Sequence, residues 1–124
     1  MKAGRELDAL VAEKVMGAYW TERENVCRIL WNAEGVEMVM EEWYEKGWVP
    51  STAPLPEYST RIQDAWLVVE KLNNDGYVVE IVNDCVAWNV SFTHVDDGKK
   101  HIADWKNSLE TQICLAALKA VKVT

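Results

Sequence analysis

One alternating segment near the middle of the chain constrains the fold more than any other feature. Between residues 86 and 95, large side chains alternate with small or polar ones, so one face would carry Val86, Trp88, Val90, Phe92 and His94. Such alternation is typical of an antiparallel strand with one buried face. The sequence Asp96-Asp97-Gly98 that follows predicts a hairpin turn. We therefore expect a three-stranded antiparallel sheet with strands over roughly 77–82, 86–95 and 99–105.

Helical periodicity marks three other segments, over residues 5–16, 60–73 and 109–121. In the second of these, the apolar stripe includes Trp66, which we expect in the core together with Trp88. Helices segregated from an antiparallel sheet indicate the α+β class. The 124 residues suffice for one compact domain, so we predict a single domain over residues 1–124.

Residues 17–58 differ from the rest and form a variable acidic-aromatic insert. They hold four of the seven Trp and all three prolines, and they contribute −5 of the formal net charge of −7. The sequence Thr21-Glu22-Arg23-Glu24 matches a capping box, and residues after Gly35 have helical spacing. We therefore predict that segment 18–50 is partly helical. Residues 26–31 also alternate well enough for a strand, and that alternative stays open.

The composition disfavours several classes of function. An acidic chain is poorly suited to neutralising phosphates, so we expect no direct nucleic-acid binding. No apolar run approaches the roughly 20 residues that span a bilayer, so no membrane partner is expected. The three cysteines, Cys27, Cys85 and Cys114, include no C-x-x-C pair. Free thiols in a reducing cytoplasm are the simplest interpretation.

Four segments resemble the phage ABA sandwich domain family of Gram-positive phages and prophages. They read AGRELDALVAEKVMG at 3–17, PEYST and AWLVVEKL at 56–60 and 65–72, WNVSF at 88–92, and ICLAALKA at 113–120. The resemblance implies helix–sheet–helix layering and small accessory proteins that act in the host bacterial cytoplasm. It implies no activity. Some relatives look metal-binding through extra cysteines in the variable part, but this chain has only Cys27 there. We expect no metal and no cofactor.

Two places in the sequence are candidates for a binding site. The segment from Tyr58 to Arg61 opens a predicted helix, where free N–H groups, two hydroxyls and a guanidinium can hold a phosphate or carboxylate. The alternative is that Ser59 or Thr60 simply caps the helix. The aromatic insert can stack a base, or it can pack against its own core or a second subunit. The predicted ligand-binding residues are Trp20, Trp43, Trp48, Tyr58, Ser59, Thr60 and Arg61.

Three function hypotheses follow. The first is a non-enzymatic accessory protein that binds and sequesters a small ligand, such as a nucleotide-derived host immune signal. The second is an interaction protein that inhibits or redirects a host enzyme. The third is a small nucleotide hydrolase that uses His94 near Asp96 and Asp97, although a histidine beside turn aspartates is also common in structural roles. No residue is assigned as catalytic. The aromatic content favours a homo-oligomer, with a dimer as the preferred state.

Overall fold

The computed structural model describes residues 2–24, 26–44, 47–50, 55–103 and 107–122. Its elements, in chain order, are α1 (Arg5–Lys14), β1 (Tyr19–Arg23), β2 (Cys27–Trp31), β3 (Glu37–Tyr44), β4 (Gly47–Pro50), α2 (Ile62–Asn74), β5 (Tyr77–Asn83), β6 (Trp88–His94), β7 (Lys100–Ile102) and α3 (Leu109–Lys122). Two antiparallel sheets result, with strand orders β1-β2-β3-β4 and β5-β6-β7. None of the helices in these ranges has the length and apolarity needed to cross a membrane.

The three-stranded sheet confirms the predicted strands and the α+β class. Phe92 lies at its centre, opposite Val79 on β5 and His101 on β7. Helix α3 packs on β6 and β7, whereas α2 packs on β5 and α3. The hairpin predicted at 96–98 is present, and its Gly98 has a φ of 68°. Part of the predicted third strand, residues 104–105, lies outside the described residues.

The four-stranded sheet corrects the prediction for segment 18–50. Of these residues, those described form β1 to β4 and no helix, so the partly helical interpretation is wrong. The strand alternative for 26–31 is right, because β2 covers most of it. The physical reason is alternation across three strands: Trp20, Leu30 and Val39 are Cα partners in one row, and the latter two are buried.

The residues that suggested helix boundaries in this segment have other roles. The Thr21 hydroxyl accepts a hydrogen bond from Trp31 Nε1 across β1 and β2 at 2.8 Å. Gly35 lies in the β2–β3 hairpin with a φ of 84°. The Asn32 side chain closes this hairpin by accepting the Val36 N–H at 2.8 Å.

Helix α2 departs from prediction in one respect. Its apolar stripe buries Ala65, Val69 and Leu72, but Trp66 is 46% exposed. The expectation that Trp66 belongs to the core is therefore wrong. The cause is that α2 covers the sheet at its outermost strand β5, which leaves one flank of the helix without a neighbour among the described elements.

Buried Ser59, just before α2, connects three parts of the chain. Its N–H donates to Asp8 Oδ1 at 2.8 Å, and its Oγ accepts the Gly4 N–H at 2.8 Å. Its carbonyl accepts a hydrogen bond from Thr111 Oγ1 at 3.0 Å. Ser59 therefore accepts a backbone N–H at the amino end of α1 and not of α2. The N-cap residue of α2 is Arg61, whose side chain makes no capping hydrogen bond. At α3, Ser108 Oγ caps the helix by accepting the Thr111 N–H at 3.3 Å.

We expect Ser59→Ala to lower the free energy of unfolding by about 1 to 3 kcal/mol, because the Gly4 N–H loses its partner. Urea unfolding at neutral pH measures the change. The control is Thr60→Ala at the neighbouring exposed position, which should change stability by less than about 0.5 kcal/mol. Equal effects of the two substitutions would contradict this assignment.

A second prediction concerns Asp8, which is only 5% exposed. Burial raises its pKa above 3.8, and the hydrogen bonds from Ser59 oppose that shift only in part. The folded chain therefore holds the Asp8 proton more tightly than the unfolded chain. The stability that this group contributes is present below pH 3.8 and is lost as the pH rises through the folded pKa.

Asp8→Asn keeps an acceptor for the Ser59 N–H and cannot ionise. We expect the variant to gain stability relative to the wild type as the pH rises above 3.8, with a plateau once Asp8 is ionised in both states. Chemical unfolding of both proteins across this pH range tests it. A difference between the two proteins that does not vary with pH would rule the explanation out.

Candidate functional site

A cavity of about 290 Å³ lies where α1 faces the inner side of the four-stranded sheet. Helix α1 also contacts α3. The cavity walls combine apolar side chains with charged ones: Arg5, Glu6, Ala9, Trp20, Arg28, Leu30, Val39, Glu41 and Leu55. Ligand sites in proteins commonly combine an apolar lining with a few placed polar groups in this way.

Three of these residues form one continuous stack. The Arg28 guanidinium carbon lies 4.3 Å from the centroid of the Trp20 ring. Arg28 Nε donates to Glu41 Oε1 at 2.6 Å, and the Glu41 side chain is only 10% exposed. Strand register explains the arrangement. Arg28 and Glu41 are direct Cα partners, and alternation puts Trp20 on the same face of the sheet.

Arg5 extends this stack towards solvent. Its Nη2 lies 3.8 Å from Glu41 Oε2, and its side chain is 41% exposed. The cavity therefore offers an aromatic face, two guanidinium groups and one buried carboxylate. Such a set can bind a planar ligand that carries both hydrogen-bond donors and an anionic group.

Of the predicted site residues whose side chains the structure describes, only Trp20 lies in the cavity wall. Trp43 and Trp48 are Cα partners in the β3–β4 hairpin, and their side chains lie outside the described part of the structure. The expectation that they stack a ligand stays a prediction.

The turn from Tyr58 to Arg61 divides into a buried half and an exposed half. Tyr58 is buried, and burial together with the nearby charge of Asp64 raises its pKa to about 12. Ser59 uses its polar atoms within the protein, as described above. Thr60 and Arg61 are exposed, and Arg61 Nε lies 3.9 Å from a Glu57 carboxylate oxygen. None of the described residues 58–61 lines the cavity.

Sequence reasoning missed Arg5, Arg28 and Glu41. A signal existed for two of them, because Arg28 and Glu41 occupy facing positions once residues 27–31 and 37–44 are treated as paired strands. Opposite charges are a common cross-strand pair. Arg5 carries no such signal, because its position depends on how α1 packs against the sheet.

His94 has structural partners. Its Nδ1 accepts the Asp96 N–H at 3.1 Å, and its ring meets Tyr77 edge-on with 4.8 Å between centroids. A group of three or more His, Cys, Asp or Glu side chains that could hold a metal ion does not occur among the described residues.

Comparison with known proteins identifies the family. The family model described as Phage ABA sandwich domain matches residues 9–118, which include both sheets and most of each helix. Searches of curated proteins and of solved structures returned no match. The resemblance seen in the four sequence segments is thereby confirmed. The chain belongs to the phage ABA sandwich domain family.

Proposed function

We propose that the protein is a non-enzymatic phage or prophage accessory protein that binds and sequesters a small nucleotide-derived ligand in the cavity between α1 and the four-stranded sheet. The observation that carries this proposal is the stack of Trp20, Arg28 and Glu41, with Arg5 at its outer end. A phage protein that removes a host signalling nucleotide needs to bind it without converting it.

Each group of the stack matches one part of a nucleotide. A base can lie on the aromatic or guanidinium plane, as bases do in single-strand-binding proteins. The Glu41 carboxylate has lone pairs beyond the one that Arg28 uses, and these can accept N–H groups from a base edge. Arg5 can bind a phosphate.

The size of the cavity narrows the ligand class. A volume of about 290 Å³ lies just below the range of about 300 to 1,000 Å³ that ligand sites occupy. We therefore propose that it holds one nucleotide unit, and that further parts of a larger ligand extend past Arg5 into solvent.

Retention of small molecules from an extract tests the proposal. The protein is incubated with an extract of nucleotide-producing bacteria, washed, and denatured, and the released compounds are identified by mass spectrometry. We expect the wild type to retain a nucleotide and Arg5→Ala to lose it. The loss of one half-exposed arginine should cost less than about 0.5 kcal/mol of stability, so the fold persists.

Arg61→Ala is the matched control, because it removes a second exposed arginine at the other predicted site. Retention by Arg61→Ala and loss by Arg5→Ala support the cavity. The opposite result would assign the ligand to the turn at Tyr58 to Arg61. Recovery of a converted product that His94→Ala prevents would favour the hydrolase hypothesis, and retention of nothing would end the sequestration proposal.

The interaction hypothesis has an observation of its own. On the outer side of the four-stranded sheet, Ile29, Trp31 and Met40 are half-buried but do not belong to the core cluster, and Tyr19 beside them is 48% exposed. Aromatic residues and methionine are enriched at protein interfaces. If this face binds a host enzyme, Ile29→Arg should abolish a stoichiometric complex, measured by pull-down and mass determination, while Arg5→Ala should leave it intact.

A further inference from the structure

Strand β5 is the longest edge strand among the described residues. It has seven residues, and among the described residues only β6 pairs with it. The other edges are short or charged: β7 has three residues including Lys100, β4 has four and ends at Pro50, and β1 contains Glu22 and Arg23. Short strands, prolines and charges are the usual means of preventing edge pairing, and β5 has a single charge.

The hydrogen-bond phase of β5 determines which backbone groups face the open edge. At the two ends of the β5–β6 ladder, the Val95 N–H donates to the Gly76 carbonyl at 3.0 Å and the Asp84 N–H donates to the Ala87 carbonyl at 3.3 Å. Residues alternate between bonding and non-bonding positions in an antiparallel ladder. The even-numbered residues of β5 therefore bond to β6, and the odd-numbered residues in 77–83 direct their N–H and C=O groups outward.

The sequence of β5, YVVEIVN, is close to a palindrome about Glu80. If two copies pair antiparallel with Glu80 opposite Glu80, odd-numbered residues meet odd-numbered residues, as the outward hydrogen bonds require. Val78 then lies opposite Val82 twice, on the outer face of the sheet, where these side chains are 57% and 45% exposed. Val79 lies opposite Ile81 in the same register.

We propose that β5 pairs with β5 of a second copy in this register, to form a two-fold dimer with one continuous six-stranded sheet. A two-fold interface uses the same surface on both subunits, which is why a palindromic strand favours a second copy over an unrelated protein. This proposal is independent of the ligand site.

Glu80 weakens the pairing in this register. In the register that pairs all seven residues, the two Glu80 carboxylates lie opposite each other, and their repulsion weakens the dimer. Each is already 3.8 Å from Lys100 Nζ of its own chain, which offsets part of that repulsion. A shift of two residues separates the carboxylates, but it pairs five residues instead of seven and puts each Glu80 opposite a valine.

The exposed flank of α2 fits the same interface. Asp64, on one flank, accepts the Glu57 N–H at 2.8 Å, so that flank faces the segment that precedes the helix. The other flank carries Ile62 and Trp66, which are 41% and 46% exposed. Because α2 packs on β5, pairing of the two β5 strands brings these apolar flanks towards each other.

Two double substitutions at exposed positions test the register. Val78→Lys with Val82→Lys puts two pairs of like charges in the interface, and Val78→Lys with Val82→Glu puts two pairs of opposite charges there. Sedimentation equilibrium over a dilution series gives the dimer Kd of each protein. We expect the Lys/Lys variant to raise Kd about tenfold or more and the Lys/Glu variant to stay within a few-fold of the wild type.

Removal of the central charge is the complementary test. Glu80→Thr should lower the Kd about two- to fivefold, because the like-charge pair is lost. Unfolding midpoints of the diluted monomers verify that each variant folds. A wild type that stays monomeric at its highest soluble concentration would overturn the proposal, and so would a Lys/Lys variant that dimerises as well as the wild type. Loss of the dimer in both double variants would overturn the register.

Discussion

The hydrogen bonds of Ser59 to Gly4, Asp8 and Thr111 determine where α1 lies, and the rest of the structure depends on that position. Ser59 is fully buried, so each bond replaces solvation that the folded chain has lost. The bonds to Gly4 and Asp8 hold the cap and the first turn of α1, and the bond to Thr111 holds the start of α3. Arg5 directly follows the capped Gly4, so this serine also sets one wall of the cavity without touching it.

Much of the fold could be predicted because its elements have simple periods. The alternation over β6 and the apolar stripe of α3 each describe an element with one buried side, and the observed bounds lie within a few residues of the expected ones. The turn residues at 96–98 behave as their chemistry indicates. These predictions succeed because local preference and tertiary packing agree.

The four-stranded sheet was harder to predict, since its strands bury only alternate residues of one face. Thr21-Glu22-Arg23-Glu24 satisfies the letter pattern of a capping box, but the pattern has meaning only if a helix follows. Cross-strand burial of Leu30 and Val39 against the core overrides that local signal. Likewise, Ser59 has the chemistry of a helix cap. The sequence does not reveal that its hydroxyl binds the cap residue of α1, Gly4, which lies 55 residues earlier in the chain.

The candidate site, too, could be predicted only in part from the sequence. Trp20 was accessible to sequence reasoning because an aromatic residue in an acidic insert suggests stacking. The charged partners of Trp20 could not be predicted in this way, because Arg28 and Glu41 meet through strand register and Arg5 joins them through helix packing. A site assembled from three strands and a helix has no contiguous motif in the sequence.

The alternating burial along β2 and β3 has a consequence for how the family can diversify. Leu30 and Val39 are 1% exposed, whereas their neighbours along the chain on either side are half-buried. Tolerance to substitution should therefore switch from residue to residue along each strand. The residues that line the cavity and the residues of the outer face can be substituted separately, because the two sets occupy alternate positions along each strand. Such a sheet can change its exposed side chains without changing the alternate positions that pack it against the core.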